Sequence, residues 1–287
     1  MTSFKCVQAS NKIGLDQETL DNLSVISRKA ALIGGKVLMK YYQDITTVKN
    51  KGSEGDLVTN VDIEAENIIK EYLNKETPKI GILAEESGSS GYIDNLAWCI
   101  DPLDGTTNFA HGYPFFATSI GLISNNSPIL GAIYIPYLKE LYWGTPGKGS
   151  FCNNKKISVS KTIILKESLL VTGFSYDRRI NNNNNYAEFC WLTHRTRGVR
   201  RDGAASVDLA LLAAGKVDGY WEHGLQKWDL AAGAPIVELA GGFISHYNSD
   251  EFDLSKGSIV ATNKGIRNEL IEELNKVTPL SQKSYGV

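Results

Sequence analysis

An α/β protein is what this chain predicts, on three observations. Segments with apolar residues at three- and four-residue steps alternate with short apolar runs, no repeat or heptad series interrupts them, and acids stand where two of those runs end. The first helix is expected near residues 20–42, where Leu23, Ile26, Ala30, Ile33, Val37 and Tyr41 form one stripe, weakened in the middle by Gly34-Gly35. Asp56-Leu57-Val58-Thr59 then leads into a second helix. Thr59 is placed to cap it, Asp62 takes the third helical position, and Ile63, Ile68, Ile69, Tyr72 and Leu73 form the apolar face. Pro78 ends that helix, and Lys79 to Ala84 reads as a strand delivering Glu85 to its exit. Ala97-Trp98-Cys99-Ile100 reads as another, delivering Asp101. Strands follow at 116–123, 129–135 and around 140–143, then a turn-rich stretch through 144–156 and a strand at 168–173. The five asparagines from Asn181 to Asn185 predict an exposed loop. Helices are expected at 203–215, at 229–240 with a bend at Pro235, and at 264–275.

Composition removes several function classes. The 287 residues carry 30 basic and 32 acidic side chains, a formal net charge of -2, and no long basic block of the kind that meets a nucleic-acid polymer. No apolar run is long enough to cross a bilayer, and residues 1–20 lack a signal-peptide hydrophobic region, so a cytoplasmic protein without a membrane partner is expected. Cys6, Cys99, Cys152 and Cys190 are scattered, without a Cys-x-x-Cys pair, and the four histidines make no His-Glu-x-x-His segment. Both Gly-x-Gly-x-x-Gly and a complete phosphate loop are missing; Gly147-Lys148-Gly149-Ser150 is a loose fragment of the latter.

The carboxylates carry the chemistry. Glu85 and Glu86, Asp101 and Asp104 in Asp101-Pro102-Leu103-Asp104-Gly105-Thr106-Thr107, and the distant Asp229 together suit hard divalent cations over a phosphate ester. Pro102 restricts the turn, Gly105 admits a tight backbone, and the amides at 105–106 can meet phosphate oxygens. Taken alone, the Asp-Pro-x-Asp-Gly-Thr turn is either structural or a metal site, and Asp229 is either a helix cap or a ligand. Thr106 is short enough to orient water and is also an ordinary turn residue.

Ala84-Glu85-Glu86-Ser87 followed by Asp101-Pro102-Leu103-Asp104-Gly105-Thr106-Thr107-Asn108-Phe109, with Trp228-Asp229-Leu230-Ala231-Ala232-Gly233 leading to Glu238-Leu239-Ala240-Gly241-Gly242, resembles the inositol-monophosphatase family from about residue 20 to 275. The segment from Gly198 to Gly203 is similar to its plastid-type and cyanobacterial members. The resemblance implies a layered α-β-α-β-α sandwich of the sugar-phosphatase type, magnesium as cofactor, a small phosphate monoester as substrate, lithium sensitivity and a homodimer. It implies metal binding by Glu85, Asp101, the Leu103 carbonyl, Asp104 and Asp229, and water orientation by Glu85 and Thr106. It further implies phosphate contacts from Gly105 and Thr106, and substrate contacts from Ala205, Glu222 and Asp229. Lys51, Asp56, Thr59 and Asp62 match its accessory segment, and Glu86 has a supporting role. An N-terminal half, 20–150, would carry most metal ligands and a C-terminal half, 151–275, Asp229 and the substrate contacts, packed as one catalytic unit. The expected reaction is hydrolysis of myo-inositol monophosphate. Histidinol phosphate, with its cationic groups toward Glu222 and Asp202, is the alternative substrate, and a non-catalytic inositol-phosphate-binding regulator the alternative class.

Overall fold

Helix 1, α1 (Lys5–Lys12), precedes the long α2 (Gln17–Tyr41), which starts where the Asp16 carboxylate accepts the Thr19 N–H. The computed structural model describes residues 4–44, 48–50, 57–91, 96–247 and 251–280, with backbone alone for 48–50 and 57–59. Gly34 and Gly35 do not break α2. A Cβ at Gly34 would lie 2.7 Å from Ile69 and Thr118, and one at Gly35 would lie 2.3 Å from the Tyr134 ring, so the pair lets the helix press onto its neighbours. A short ribbon, β1 (Val48–Asn50) and β2 (Leu57–Thr59), leads into α3 (Asn60–Glu76). The buried face of α3 is Val61, Asp62, Ala65, Glu66, Ile69 and Leu73, whereas Ile63 and Ile68 of the expected face are exposed. Two acids thus occupy core positions at helical spacing. The reason lies in the site below.

Next come β3 (Gly81–Ala84), β4 (Gly88–Ser90), β5 (Ala97–Asp104), the short α4 (Thr106–Ala110), β6 (Ala117–Ser124), β7 (Ser127–Ile135), β8 (Glu140–Thr145), β9 (Gly149–Cys152) and β10 (Lys155–Lys156). They form an eight-stranded sheet in the order β10-β9-β8-β7-β6-β5-β3-β4, parallel only between β3 and β5. Strands β5 and β6 are buried on both faces, which is why their sequences read as near-continuous apolar runs. The expected turn-rich stretch at 144–156 folds as the β9–β10 hairpin.

The second half contains β11 (Leu169–Thr172), α5 (Tyr186–Thr193), β12 (Gly198–Arg200), α6 (Ala205–Ala213), β13 (Gly219–His223), α7 (Lys227–Ala231), α8 (Gly233–Leu239), β14 (Phe243–Ser245), β15 (Ser258–Thr262) and α9 (Arg267–Asn275). Its five strands run β12-β11-β13-β15-β14. Helices α2 and α3 cover one face of the first sheet, α6, α7 and α8 lie between the sheets, and α5 and α9 cover the far face of the second. This is the layered α-β-α-β-α sandwich. Every residue of α6 is buried, as a helix between two sheets requires.

Two expectations change. The helix expected at 229–240 is two, separated at Ala232; Pro235 sits in the first turn of α8, where its missing N–H costs little. The asparagine run is not wholly exposed. Asn184 and Asn185 are buried, and Asn185 bonds Thr172 Oγ1, the Gly173 carbonyl and the Trp221 indole N–H. Its φ of 67° explains the residue, since asparagine tolerates the left-handed region and satisfies buried partners.

Candidate active site

Parallel pairing of β3 with β5 sets Ala84 beside Ile100, so Glu85, just past the end of β3, lies next to Asp101, and the Glu85 N–H donates to the Ile100 carbonyl at 3.2 Å. Strand β5 does not end at Ile100 as expected but runs on to Asp104. Asp101 and Asp104, three residues apart, would face opposite sides of a regular strand. Against β6, however, Asp101 pairs Ser119 and Asp104 pairs Ala117, so three steps on one strand match two on the other. This bulge, at the donor-less Pro102, returns both carboxylates to one cavity. Asp101 Oδ1 accepts the Leu103 N–H at 3.0 Å. Gly105 turns the chain into α4 with φ 87°, and a Cβ there would lie 2.9 Å from the Phe115 carbonyl. Thr106 Oγ1 is 3.0 Å from the Leu103 carbonyl and 3.2 Å from Asp62 Oδ1.

Asp229 arrives from the helical layer. It is the third residue of α7 and accepts the Gln226 N–H at 2.7 Å, completing a capping box with Gln226. The helix reaches the sheet because two strand residues are glycine. A Cβ at Gly121 would lie 2.6 Å from the Ala231 backbone, and one at Gly131 2.3 Å from the Ala232 carbonyl. The small residues after Trp228-Asp229 therefore answer to this close approach.

Glu85, Asp101, Leu103, Asp104, Gly105, Thr106 and Asp229 line one cavity of about 240 Å³, and among the described residues no lysine or arginine lines it. Burial, then the neighbouring Glu85, Asp104 and Asp229, raises the Asp101 carboxyl well above its ordinary range. Burial and Asp104 do the same to Asp229. Asp104 is pushed up to about 6 by burial, against the pull of its bonds from Ser206. Among the described residues no three His, Cys, Asp or Glu side chains form a finished metal-holding cluster. The acids instead surround the cavity. Four carboxylates and a main-chain carbonyl fit a hard divalent cation, which prefers oxygen donors and would relieve their mutual repulsion.

Other expected residues take varied places. Asp62, fully buried, faces Thr106, while the Glu86 N–H donates to the buried Glu66 carboxylate at 2.8 Å. These contacts explain the two acids in the core face of α3. Ala205 opens α6 beside the Asp104 contact and does not line the cavity. Glu222 is a buried strand residue on β13, also outside the cavity wall; its carboxylate accepts the Tyr220 hydroxyl at 2.6 Å, and burial raises it to about 7. Thr59 ends β2, next to α3, while Lys51 and Asp56 lie outside the described residues. Residues the sequence reading missed are Glu66, Ser206, Tyr176 and Gln226. The buried Ser206 donates both N–H and hydroxyl to Asp104 Oδ2, at 2.7 and 2.5 Å. Glu66 was readable as an acid four residues after Asp62; the other three carry no local signal.

Fold and cavity together define a class, the phosphomonoester hydrolases of the layered-sandwich kind. The family model described as inositol monophosphatase family matches residues 19–279, and the chain belongs to that family. A protein named Inositol-1-monophosphatase from Synechocystis sp. is 48% identical over 262 residues, 91% of each chain. The solved structure of an inositol monophosphatase from Anabaena (Nostoc) sp. is 46% identical with a TM-score of 0.84, over 91% of this chain and 98% of that one. A Pseudomonas aeruginosa protein named Nus factor SuhB is 39% identical over 265 residues, 90% of this chain and 97% of that one. The chain is accordingly an enzyme, a phosphoric monoester hydrolase. No helix among its described residues is long and apolar enough to cross a membrane.

Proposed function

We propose that this phosphatase hydrolyses myo-inositol monophosphate to myo-inositol and inorganic phosphate, with magnesium as cofactor and water as the nucleophile. The observation that carries the reading is the single cavity that joins Glu85, Asp101, Asp104 and Asp229 to the turn at Gly105 and Thr106. Magnesium held by Glu85, Asp101, the Leu103 carbonyl, Asp104 and Asp229 would supply Lewis acidity and charge neutralisation to the phosphoryl group. The Thr106 hydroxyl has one proton, and both Asp62 Oδ1 and the Leu103 carbonyl stand ready to take it. Its remaining lone pair then accepts a hydrogen bond from the attacking water, Glu85 receives the proton that water releases, and a second water beside Asp229 gives a proton to the departing alkoxide. The amides of Gly105 and Thr106, at the start of α4 and without helical partners, receive phosphate oxygens. Glu222 and Ala205 serve the alcohol. Lys51, Asp56, Thr59 and Asp62 form the accessory segment, with Glu86 in support.

The halves 20–150 and 151–275 act as one catalytic unit, since each contributes a wall of the cavity. The enzyme works in the cytoplasm as a homodimer and is sensitive to lithium. Pure protein is expected to release inorganic phosphate from inositol 1-phosphate only with magnesium, and a folded Asp104→Asn variant to lose at least about a hundredfold in kcat/KM. A larger kcat/KM for histidinol phosphate would transfer the assignment to that ester. The name Nus factor SuhB for one relative supports a second reading, a regulatory role beside hydrolysis or in its place on the natural partner. Phosphate release that survives removal of every contaminating phosphatase would exclude it as the sole role.

A further inference from the structure

The cavity wall divides by chemistry. Glu85, Asp101, Asp104 and Asp229 bring negative charge, whereas Tyr176, Gly224, Gln226 and Trp228 contribute a neutral stretch. Tyr176 is the one large aromatic ring in that stretch that is more than half exposed, at 51%, although its loop is fixed on both sides. The Phe174 ring packs against Tyr186 and Phe189 of α5, with centroids 5.0 and 5.6 Å away. Ser175 rests on Gly224, where a Cβ would come within 2.4 Å of the serine and where φ is 77°. Beyond Tyr176, the Asp177 carboxylate accepts the Ser175 hydroxyl at 2.5 Å and the Asn181 amide at 3.1 Å, and the Arg178 guanidinium donates to the Ser175 carbonyl at 3.1 Å. An aromatic side chain on an anchored loop has already lost the freedom that ordering a binding surface would otherwise cost.

We infer that Tyr176 is a specificity-determining residue whose ring receives the C–H face of a cyclic alcohol, so that ring-bearing phosphomonoesters are preferred over linear ones. The physical basis is shape. A saturated ring offers a rigid C–H face of about the size of the phenol, which packs on it without freezing torsions. A linear polyol must freeze several torsions to offer the same face. The inference rests on the cavity being the hydrolytic site, and it adds the residue that reads the ring of the alcohol.

The test compares kcat/KM for myo-inositol 1-phosphate and glycerol 2-phosphate, with magnesium, in the wild type, Tyr176→Ala and Tyr176→Phe. The cyclic-to-linear ratio is expected to fall about fivefold in Tyr176→Ala, mostly through KM, and to hold in Tyr176→Phe, which keeps the ring face. An unchanged ratio in Tyr176→Ala, or an equal loss in Tyr176→Phe, overturns the inference. Calorimetric binding of the same two esters with calcium in place of magnesium separates the two readings. Preferential binding of the cyclic ester through Tyr176 without turnover would remove the hydrolytic reading alone. Equal affinity of the wild type for both esters would remove this one.

Discussion

Asp104 is held by a residue of α6, 102 positions away in sequence. Both donors of Ser206 meet its Oδ2, which fixes how the carboxylate is turned. Partners of this kind orient a ligand and typically govern metal affinity by about ten- to a hundredfold. Ser206→Ala is therefore expected to raise the magnesium concentration for half-saturation about tenfold, with a smaller effect on kcat at saturation, and Ser206→Thr to restore it. Calorimetric titration of the protein alone provides a readout independent of turnover. The same carboxylate gives a pH dependence. Burial raises Asp104 from 3.8 to about 6, so the native state holds the extra proton between those values, and its contribution to stability is lost as pH rises through about 6. Asp101 and Asp229 shift in the same direction. Magnesium should accordingly raise Tm more near pH ~7.5 than near pH ~4.5, because cations and protons compete for these oxygens. A gain that is equal at both values would contradict it. His223 acts in the opposite sense. Burial lowers it from 6.5 to about 4, so its contribution is lost as pH falls through that window, and His223→Phe should flatten the acid side of the Tm profile.

Placement of Asp229 is decided at the level of elements. Helix α7 sits close enough to deliver it only because Gly121 and Gly131 leave room for Ala231 and Ala232. Gly131→Val is expected to cost about 1–3 kcal/mol by overpacking and also to weaken cation binding, because α7 must retreat from the sheet. Leu270→Ala in the outer layer should cost about 2–5 kcal/mol yet leave cation affinity unchanged. Urea midpoints and magnesium titrations of the two variants check the contrast. Legibility also differs by element. The strand ending before Glu85 and the start of the one through Asp101 were readable as continuous apolar runs, but the second continues past its first acid to Asp104 because Asp101 stays in the ladder with Ser119. The face of α3 was misread because Asp62 and Glu66 are buried for the site while Ile63 and Ile68 are exposed, and hydropathy alone points the other way. The division between α7 and α8 at Ala232 has no local signature; Pro235 drew the eye to the wrong turn.

At the scale of the whole molecule, the helical layer of α6, α7 and α8 is shared by both sheets; it carries Asp229 into the cavity and sets Ser206 against Asp104, one of the acids that the first sheet brings there. Leu209 and Leu212 of α6 are fully buried within it, and Leu209 lies against Gly233 at the start of α8. Leu212→Ala should therefore lower stability by about 2–5 kcal/mol. Urea unfolding followed by circular dichroism and by loss of cation binding should give one coincident transition, because neither sheet keeps its core without this layer. Two separated transitions would divide the proposed catalytic unit.

The sequence by itself determined the alternation of elements, the acids at the strand exits and the two signatures that carry the family resemblance, because these are written in local periodicity and contiguous motifs. Only the tertiary structure decided which side chains meet. The bulge at Pro102 brings Asp101 and Asp104 to one side, glycines in neighbouring strands admit the helix of Asp229, and Ser206 reaches Asp104 across 102 residues of chain. Such encounters depend on register and close packing between distant segments, and no stretch of residues read in order contains them.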